Sequence, residues 1–403
     1  MSTVPSVRRT GPRRMTFPGV ARLTAAAVGL PLAVAAILPA SSLARQATGE
    51  AAIFRLVTFQ ATGDLRLGAT QGNGDAPIID IHNAILALAS AGAPEIQNLG
   101  YVPADTRSLI EIGDTAVASV KTVHQAALKL KAGGRWTDPG GERRVFYPPT
   151  AVRLRAPVPN PQKMFGMAGN YRREGESELT AATPETAAAV PTAGTQARPG
   201  GGLGRTPDRR LPSFFLKSVS AIVGQDDDIV MTDLLADGYP NSHEAELAVI
   251  IGKRARNVPE ARAFDYVFGY TIHNDVSGRT LRSGASSSEG SSMTKGMDTF
   301  APLGPYLTLK ADVPDPHNLA IETKLNGKVF PMPNAHTRYM RHRIPAAISY
   351  LSRIMTLQPG DILATGVPAP TAPLNAGDTV EITIERLGTL RNRVVMKPSG
   401  SDE

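Results

Sequence analysis

The 403-residue chain contains no cysteine, which excludes disulfides, thiolate metal sites and a cysteine nucleophile. That composition suits a chain that must survive outside the cytosol. Neither a Gly-rich dinucleotide fingerprint nor a P-loop occurs, so no nucleotide-binding signature is present. Acids are missing from residues 1–44, where five arginines stand (Arg8, Arg9, Arg13, Arg14 and Arg22). Taking those five off the formal charge of +7 leaves +2. The positive charge is therefore local, and a pI of 9.6 gives no support to a nucleic-acid partner. The apolar stretch Leu23–Leu38 is too short for a membrane span, and Pro31 and Pro39 break it further.

What is present at this end has the grammar of an export signal. An arginine-rich start, the apolar stretch and small residues ending in Ser42-Leu-Ala44 follow one another. Arg13-Arg14 with Phe17 three places on resembles a twin-arginine address. The expectation is export to the periplasm or beyond, with a cytoplasmic or membrane-anchored chain as the alternative.

Apolar content of 42% with 38 Gly and 33 Pro predicts a folded, loop-rich chain containing β-structure. Residues 45–155 read as a small α+β domain. It has a strand at Ile53–Phe59, a strand-to-helix switch across Ile78–Leu88, and a helix over Thr115–Leu130. His82 and His124 within it are expected to be structural. Residues 156–399 read as the main domain, mostly β, with an Asn326-Gly327 hairpin turn and a helix whose buried face is Ile344, Ala347, Ile348, Leu351 and Met355. Residues 175–212 break all periodicity and are expected to form a mobile loop or lid.

The chemistry concentrates in Asn241–Gly252. Glu244 and Glu246 sit two apart at the head of a β-branched apolar run. Strand alternation aims both carboxylates one way and His243 the other. Asp275 ends a second apolar run, Tyr266–Asp275. Two like charges at the mouth of a buried strand are costly without a cation between them. Three hard carboxylates suit Mg²⁺ or Mn²⁺, with Ca²⁺ as a further option.

Five ordered stretches resemble the fumarylacetoacetate hydrolase family. They are Gly169-Asn-Tyr171, Phe215-Leu-Lys217, His243–Gly252 with Gly269–Arg279, Lys295–Gly304 and Leu357–Pro368. The resemblance implies a mixed β-roll catalytic domain behind a small N-terminal domain, usually a homodimer. It implies a divalent metal and a small 2-oxo or 1,3-diketo acid substrate. Carried over, Glu244, Glu246 and Asp275 match the metal carboxylates, and Lys295 matches the active-site lysine. Tyr171, Lys217, Arg279, Arg282, Thr365 and Gly366 match positions around the substrate. Glu174 stands where hydrolases of the family usually carry a histidine, which makes it the candidate base for water. The leading expectation is hydrolysis of a C–C bond. The alternatives are decarboxylation or keto–enol tautomerisation, which need no activated water, and an exported binding protein without turnover.

Overall fold

The computed structural model describes residues 53–72, 74–133, 143–172, 211–233, 235, 241–278, 291–368 and 371–397. The expected export signal, most of the 175–212 segment, Glu174, Arg279 and Arg282 lie outside these residues. Among the described residues, strands far outnumber helices, and they assemble into one 12-stranded sheet, one five-stranded sheet and a two-stranded ribbon. This is the expected mostly-β, α+β class.

The large sheet runs from Phe146–Tyr147 through Ile78–Asp80, Arg66–Gln71, Phe54–Gln60, Ala301–Leu309, Val267–Asn274, Ala245–Ile251, Ile362–Ala364 and Met164–Met167 to Phe214–Lys217. It is mixed: most pairs are antiparallel, but Ile362–Ala364 runs parallel to Met164–Met167. Phe54–Gln60 pairs with Ala301–Leu309, so the sheet is continuous across residue 155. The five-stranded sheet is built from Lys328–Phe330, Ile321–Leu325, Thr379–Ile384, Gly388–Lys397 and Ile229–Thr232. Its hairpin turns at Asn326 (φ 52°) and Gly327 (φ 75°), the left-handed pair that the Asn-Gly dipeptide predicts.

Local sequence accounts for the helices. Asp80 closes a strand and at once caps the helix Ile81–Ser90, accepting the Asn83 N–H at 2.9 Å. The expected helix near Thr115–Leu130 spans Asp114–Ala132. The helix Ile344–Ile354 places Pro345 in its first turn, where a missing N–H costs nothing.

The strand Ala245–Ile251 is buried on both faces. Its odd-numbered residues, Ala245, Leu247, Val249 and Ile251, join a core with the Ile344–Ile354 helix and the smaller sheet. Ala248 and Ile250 join a second core, built with the helices Ile81–Ser90 and Asp114–Ala132. Burial of both faces is what makes this strand rigid enough to carry charged groups at its end.

Two buried histidines give the fold an acid-sensitive component. His124 lies edge-on to Phe54, ring centroids 5.3 Å apart, and burial pushes it down to about 4. His317 accepts the Ile344 N–H at 3.1 Å, and burial, then Arg343, push it down to about 4. Both are neutral in the fold, whereas the unfolded chain protonates them near 6.5. Their contribution is therefore level above about pH 6.5 and is lost as pH falls from there to about 4. Denaturant midpoints measured across that window should fall, and should fall less in a His124→Leu, His317→Gln double variant. Parallel profiles for the two proteins would contradict this assignment.

Candidate metal centre

The two acid-bearing segments meet as antiparallel neighbours. Ala245 pairs with Asn274 and Glu246 with His273. Just beyond the ladder, the Asp275 N–H donates to Glu244 O at 2.9 Å, and the Glu244 N–H donates to Asn274 Oδ1 at 3.0 Å. Residues opposite one another in such a pair share a face. Glu244, Glu246, His273 and Asp275 therefore project together from the even-numbered face, where Ile250 and Ala248 give way to carboxylates. One ligand atom from each of Glu244, Glu246 and Asp275 lies within 4.8 Å of the others, and all three residues are buried.

Two lysines answer these acids. Lys217 Nζ donates to Asp275 Oδ1 at 2.5 Å and to Val276 O at 3.0 Å. Lys295 follows a short helical turn, Ser291–Thr294, whose Thr294 carbonyl accepts the Gly278 N–H at 2.9 Å. Its Nζ donates to Asp275 Oδ2 at 2.5 Å and to Glu244 Oε2 at 3.0 Å. Ser277 Oγ donates to Glu244 Oε1 at 3.1 Å. Among the described residues no lysine bonds Glu246; its Oε2 takes the Gly366 N–H at 2.9 Å.

The titration behaviour follows from this layout. Burial, then Asp275 and Glu244, raise the Glu246 carboxyl well above the ordinary range, with Lys295 and the Gly366 N–H opposing. Burial also works to raise Asp275, but Lys217 and Lys295 together outweigh it and hold that carboxyl below its usual value. Burial opposes the Lys295 charge, yet Asp275 and Glu244 prevail and hold its ammonium above the ordinary lysine value. Lys217 is lowered by burial, against the pull of Asp275. With all three carboxylates ionised, as a bound cation requires, these five side chains sum to one net negative charge, and it is least compensated at Glu246. The donor set fits a divalent cation: three hard oxygens, buried, converging and short of positive charge.

The Thr365–Gly366 turn forms one wall. Thr365 Oγ donates to Leu247 O at 2.9 Å. Gly366 adopts φ +89°, and a Cβ there would lie 3.0 Å from Met167 O, so conformation and space both call for glycine. Asn170, fully buried, ties this turn to its surroundings. Its Nδ2 donates to Thr365 O at 2.8 Å and to His342 O at 3.2 Å, while its Oδ1 accepts the His342 N–H at 2.9 Å. Tyr171 is buried beside it, and burial, aided by Glu246, raises its hydroxyl above the usual tyrosine value.

The structure thus brings together Glu244, Glu246, Asp275, Lys217, Lys295, Tyr171, Thr365 and Gly366. His243 takes the opposite face, its Nδ1 3.1 Å from Ala372 O and its ring edge-on to Phe330. Sequence reasoning overlooked His273, whose place on the acid face was readable from its two-residue spacing to Asp275. Its Nδ1 lies 3.0 Å from Pro302 O and its Nε2 4.0 Å from Asp275 Oδ1. Burial pushes it down to about 3, so it is neutral.

Comparison with known proteins agrees with this picture. The family model described as fumarylacetoacetate (FAA) hydrolase C-terminal matches residues 192–395. The mitochondrial oxaloacetate tautomerase FAHD2A of Bos taurus is 30% identical over 350 residues, covering 85% of this chain and 91% of that protein. An uncharacterized protein of Pyrococcus abyssi is 44% identical over 189 residues, covering 47% of this chain and 81% of its own length. Among solved structures, a maleylpyruvate hydrolase from Sphingobium sp. SYK-6, in complex with manganese(II) and pyruvate, superposes with a TM-score of 0.56. It is 28% identical and covers 85% of this chain and 99% of its own. A 5-carboxymethyl-2-hydroxymuconate delta-isomerase from Mycobacterium smegmatis gives 0.55 at 27% identity, covering 85% and 100%. Matched by the family model over about half its length, the chain belongs to the fumarylacetoacetate hydrolase family.

Proposed function

We propose that the chain is a divalent-metal-dependent enzyme that converts a small 2-oxo or 1,3-diketo acid through its enolate. The observation that carries this reading is the buried Glu244, Glu246 and Asp275 triad with Lys295 bonded across two of its members. Glu244, Glu246 and Asp275 would hold Mg²⁺ or Mn²⁺, which would supply Lewis-acid polarisation of the oxo group. With such an ion the five charged side chains would total one positive charge, which a single substrate carboxylate neutralises. Lys295, held protonated by Asp275 and Glu244, supplies a fixed donor for an enolate oxygen. The Thr365–Gly366 turn and Tyr171 would wall the substrate.

Of the reactions open to such a site, keto–enol tautomerisation of a 2-oxo acid is placed first. His273, the imidazole beside the acids, is buried with its Nδ1 3.0 Å from Pro302 O, and Glu174 stands where hydrolases of the family usually carry the histidine that activates water. The 30% identity to an oxaloacetate tautomerase across most of the chain supports this order. Hydrolysis of an acylpyruvate, with Glu174 as base, is the second reading; the likeness to a manganese-bound maleylpyruvate hydrolase favours it. The division into residues 45–155 and 156–399, a homodimer, Arg279 and Arg282 as substrate contacts, and export directed by residues 1–44 complete the proposal. The sequence alone supports them, and light scattering and N-terminal sequencing of the native protein would test assembly and export.

The deciding assay loads the purified chain with Mn²⁺ or Mg²⁺. It follows the enol absorbance of oxaloacetate, the loss of acylpyruvate and the release of CO₂. Metal-dependent tautomer exchange supports the first reading, acylpyruvate cleavage the second, and CO₂ release a decarboxylase. Metal binding with no turnover in any arm would sink the enzymatic reading. In the active arm, Lys295→Met should lower turnover about a hundredfold, the magnitude of losing one oxyanion donor. Mn²⁺ should bind that variant at least as tightly, because a competing cation has gone. Unchanged turnover would remove Lys295 from the chemistry.

A further inference from the structure

We infer that Phe215 is the positioning residue for Lys295, an inference that rests on the functional reading above. Phe215 lies on the strand Phe214–Lys217, at the end of the large sheet. Alternation puts Phe215 and Lys217 on one face and Leu216 on the other, where Leu216 is 53% exposed. The same short strand therefore serves the acid cluster twice. Lys217 bonds Asp275, and the Phe215 ring centroid lies 5.0 Å from Lys295 Nζ, within the range of a cation–ring contact.

The ring has this position because of a glycine. Gly166 is the direct cross-strand partner of Phe215. A Cβ at Gly166 would lie 2.2 Å from Cζ of the Phe215 ring, with two further ring carbons within 2.8 Å. The ring occupies the space that any side chain at 166 would fill. A larger residue there must displace the phenyl group from its present contact.

A lysine ammonium rides on a flexible four-carbon stem and needs several contacts to be held in one place. Among the described residues, its hydrogen-bond acceptors are Glu244 Oε2 and Asp275 Oδ2. Both residues also belong to the acid triad that would bind the divalent ion. A cation would compete with Lys295 for those carboxylates, whereas the aromatic face donates no oxygen and is left to the lysine alone. Phe215 thus keeps the ammonium in register when the carboxylates are shared. It touches no reacting atom itself.

The test uses the full chain with Phe215→Leu, Phe215→Tyr and Gly166→Ala. Mn²⁺ alone and then oxalate on the Mn²⁺-loaded protein are titrated calorimetrically, and oxaloacetate turnover is measured. Phe215→Leu should keep the Mn²⁺ affinity within about twofold, yet weaken oxalate binding and kcat about tenfold with little change in KM. Phe215→Tyr, which keeps the ring, should restore both. Gly166→Ala should reproduce the loss with Phe215 still present. Wild-type oxalate affinity and kcat in Phe215→Leu would overturn the inference alone. So would a parallel loss of Mn²⁺ affinity, or a defect that tyrosine does not repair. Should the wild-type Mn²⁺ protein neither bind oxalate nor turn over any oxo acid, the functional reading fails and the inference falls with it.

Discussion

Glu246→Gln should abolish Mn²⁺ binding while leaving the metal-free fold at least as stable as wild type. This residue is 1% exposed, and burial together with Asp275 and Glu244 raises its carboxyl well above the usual range. Burial therefore shifts this residue toward its neutral form, which a glutamine matches in shape and charge. The amide oxygen can still accept the Gly366 N–H that Glu246 Oε2 accepts at 2.9 Å. What is lost is the anionic oxygen least satisfied by lysine, and with it the main attraction for a cation. Thermal melts with and without Mn²⁺ separate the two effects. Wild type should gain about 2.7 kcal/mol at a hundredfold excess over Kd, and the variant should gain nothing. Turnover should fall on the order of a thousandfold or more, because the metal's several kcal/mol of charge stabilisation disappear. A variant that binds Mn²⁺ with wild-type affinity would remove Glu246 from the ligand set.

Lys217→Met should do the opposite, weakening the metal-free protein far more than the metal-loaded one. Lys217 is 4% exposed, and its ammonium sits 2.5 Å from Asp275 Oδ1. Methionine fills a similar volume but leaves Asp275, among the described residues, with Lys295 as its remaining lysine partner. Breaking one side of a buried pair costs about 3–5 kcal/mol, because the surviving charge stays buried. Mn²⁺ should return much of that loss by standing in for the ammonium. The sign with pH is also set. In wild type the lysines hold Asp275 below its ordinary value, so its contribution is full above the unfolded carboxylate pKa and is lost as pH falls through the folded one. The gap between wild type and variant should therefore narrow in acid. Equal denaturant midpoints at neutral pH without metal would show that Lys217 does not compensate Asp275.

The strand Ala245–Ile251 shows why part of this site could be read in one dimension. Its continuous apolar run requires burial on both faces, and period-two alternation assigns Glu244 and Glu246 to one of them without further information. The Asp80 helix cap and the Asn326-Gly327 hairpin are local in the same sense, since residues a few positions apart satisfy one another. Lys295 and Lys217 were assigned by resemblance, and nothing in their immediate neighbours says which carboxylate they meet. Phe215 carried no local signal strong enough to separate it from ordinary core residues, and the two-residue spacing of His273 to Asp275 gave its face but not its neighbours. Their relevance comes from strand pairing: Phe215 faces Gly166, and His273 faces Glu246.

By itself the sequence determined the class of the fold, the strand that presents two carboxylates on one face, and the donor type that selects a hard divalent cation. Those properties depend on spacing and on the chemistry of single side chains, which the chain carries wherever it folds. Only the tertiary structure decided how the charges are compensated. It gave Asp275 two lysines, from positions 58 and 20 residues away, and gave Glu246 a backbone N–H from a residue 120 positions on. Electrostatic energy depends on distance and burial, and both are set by which strands lie side by side. The acid triad is thus a property of the sequence, and its appetite for a cation is a property of the fold.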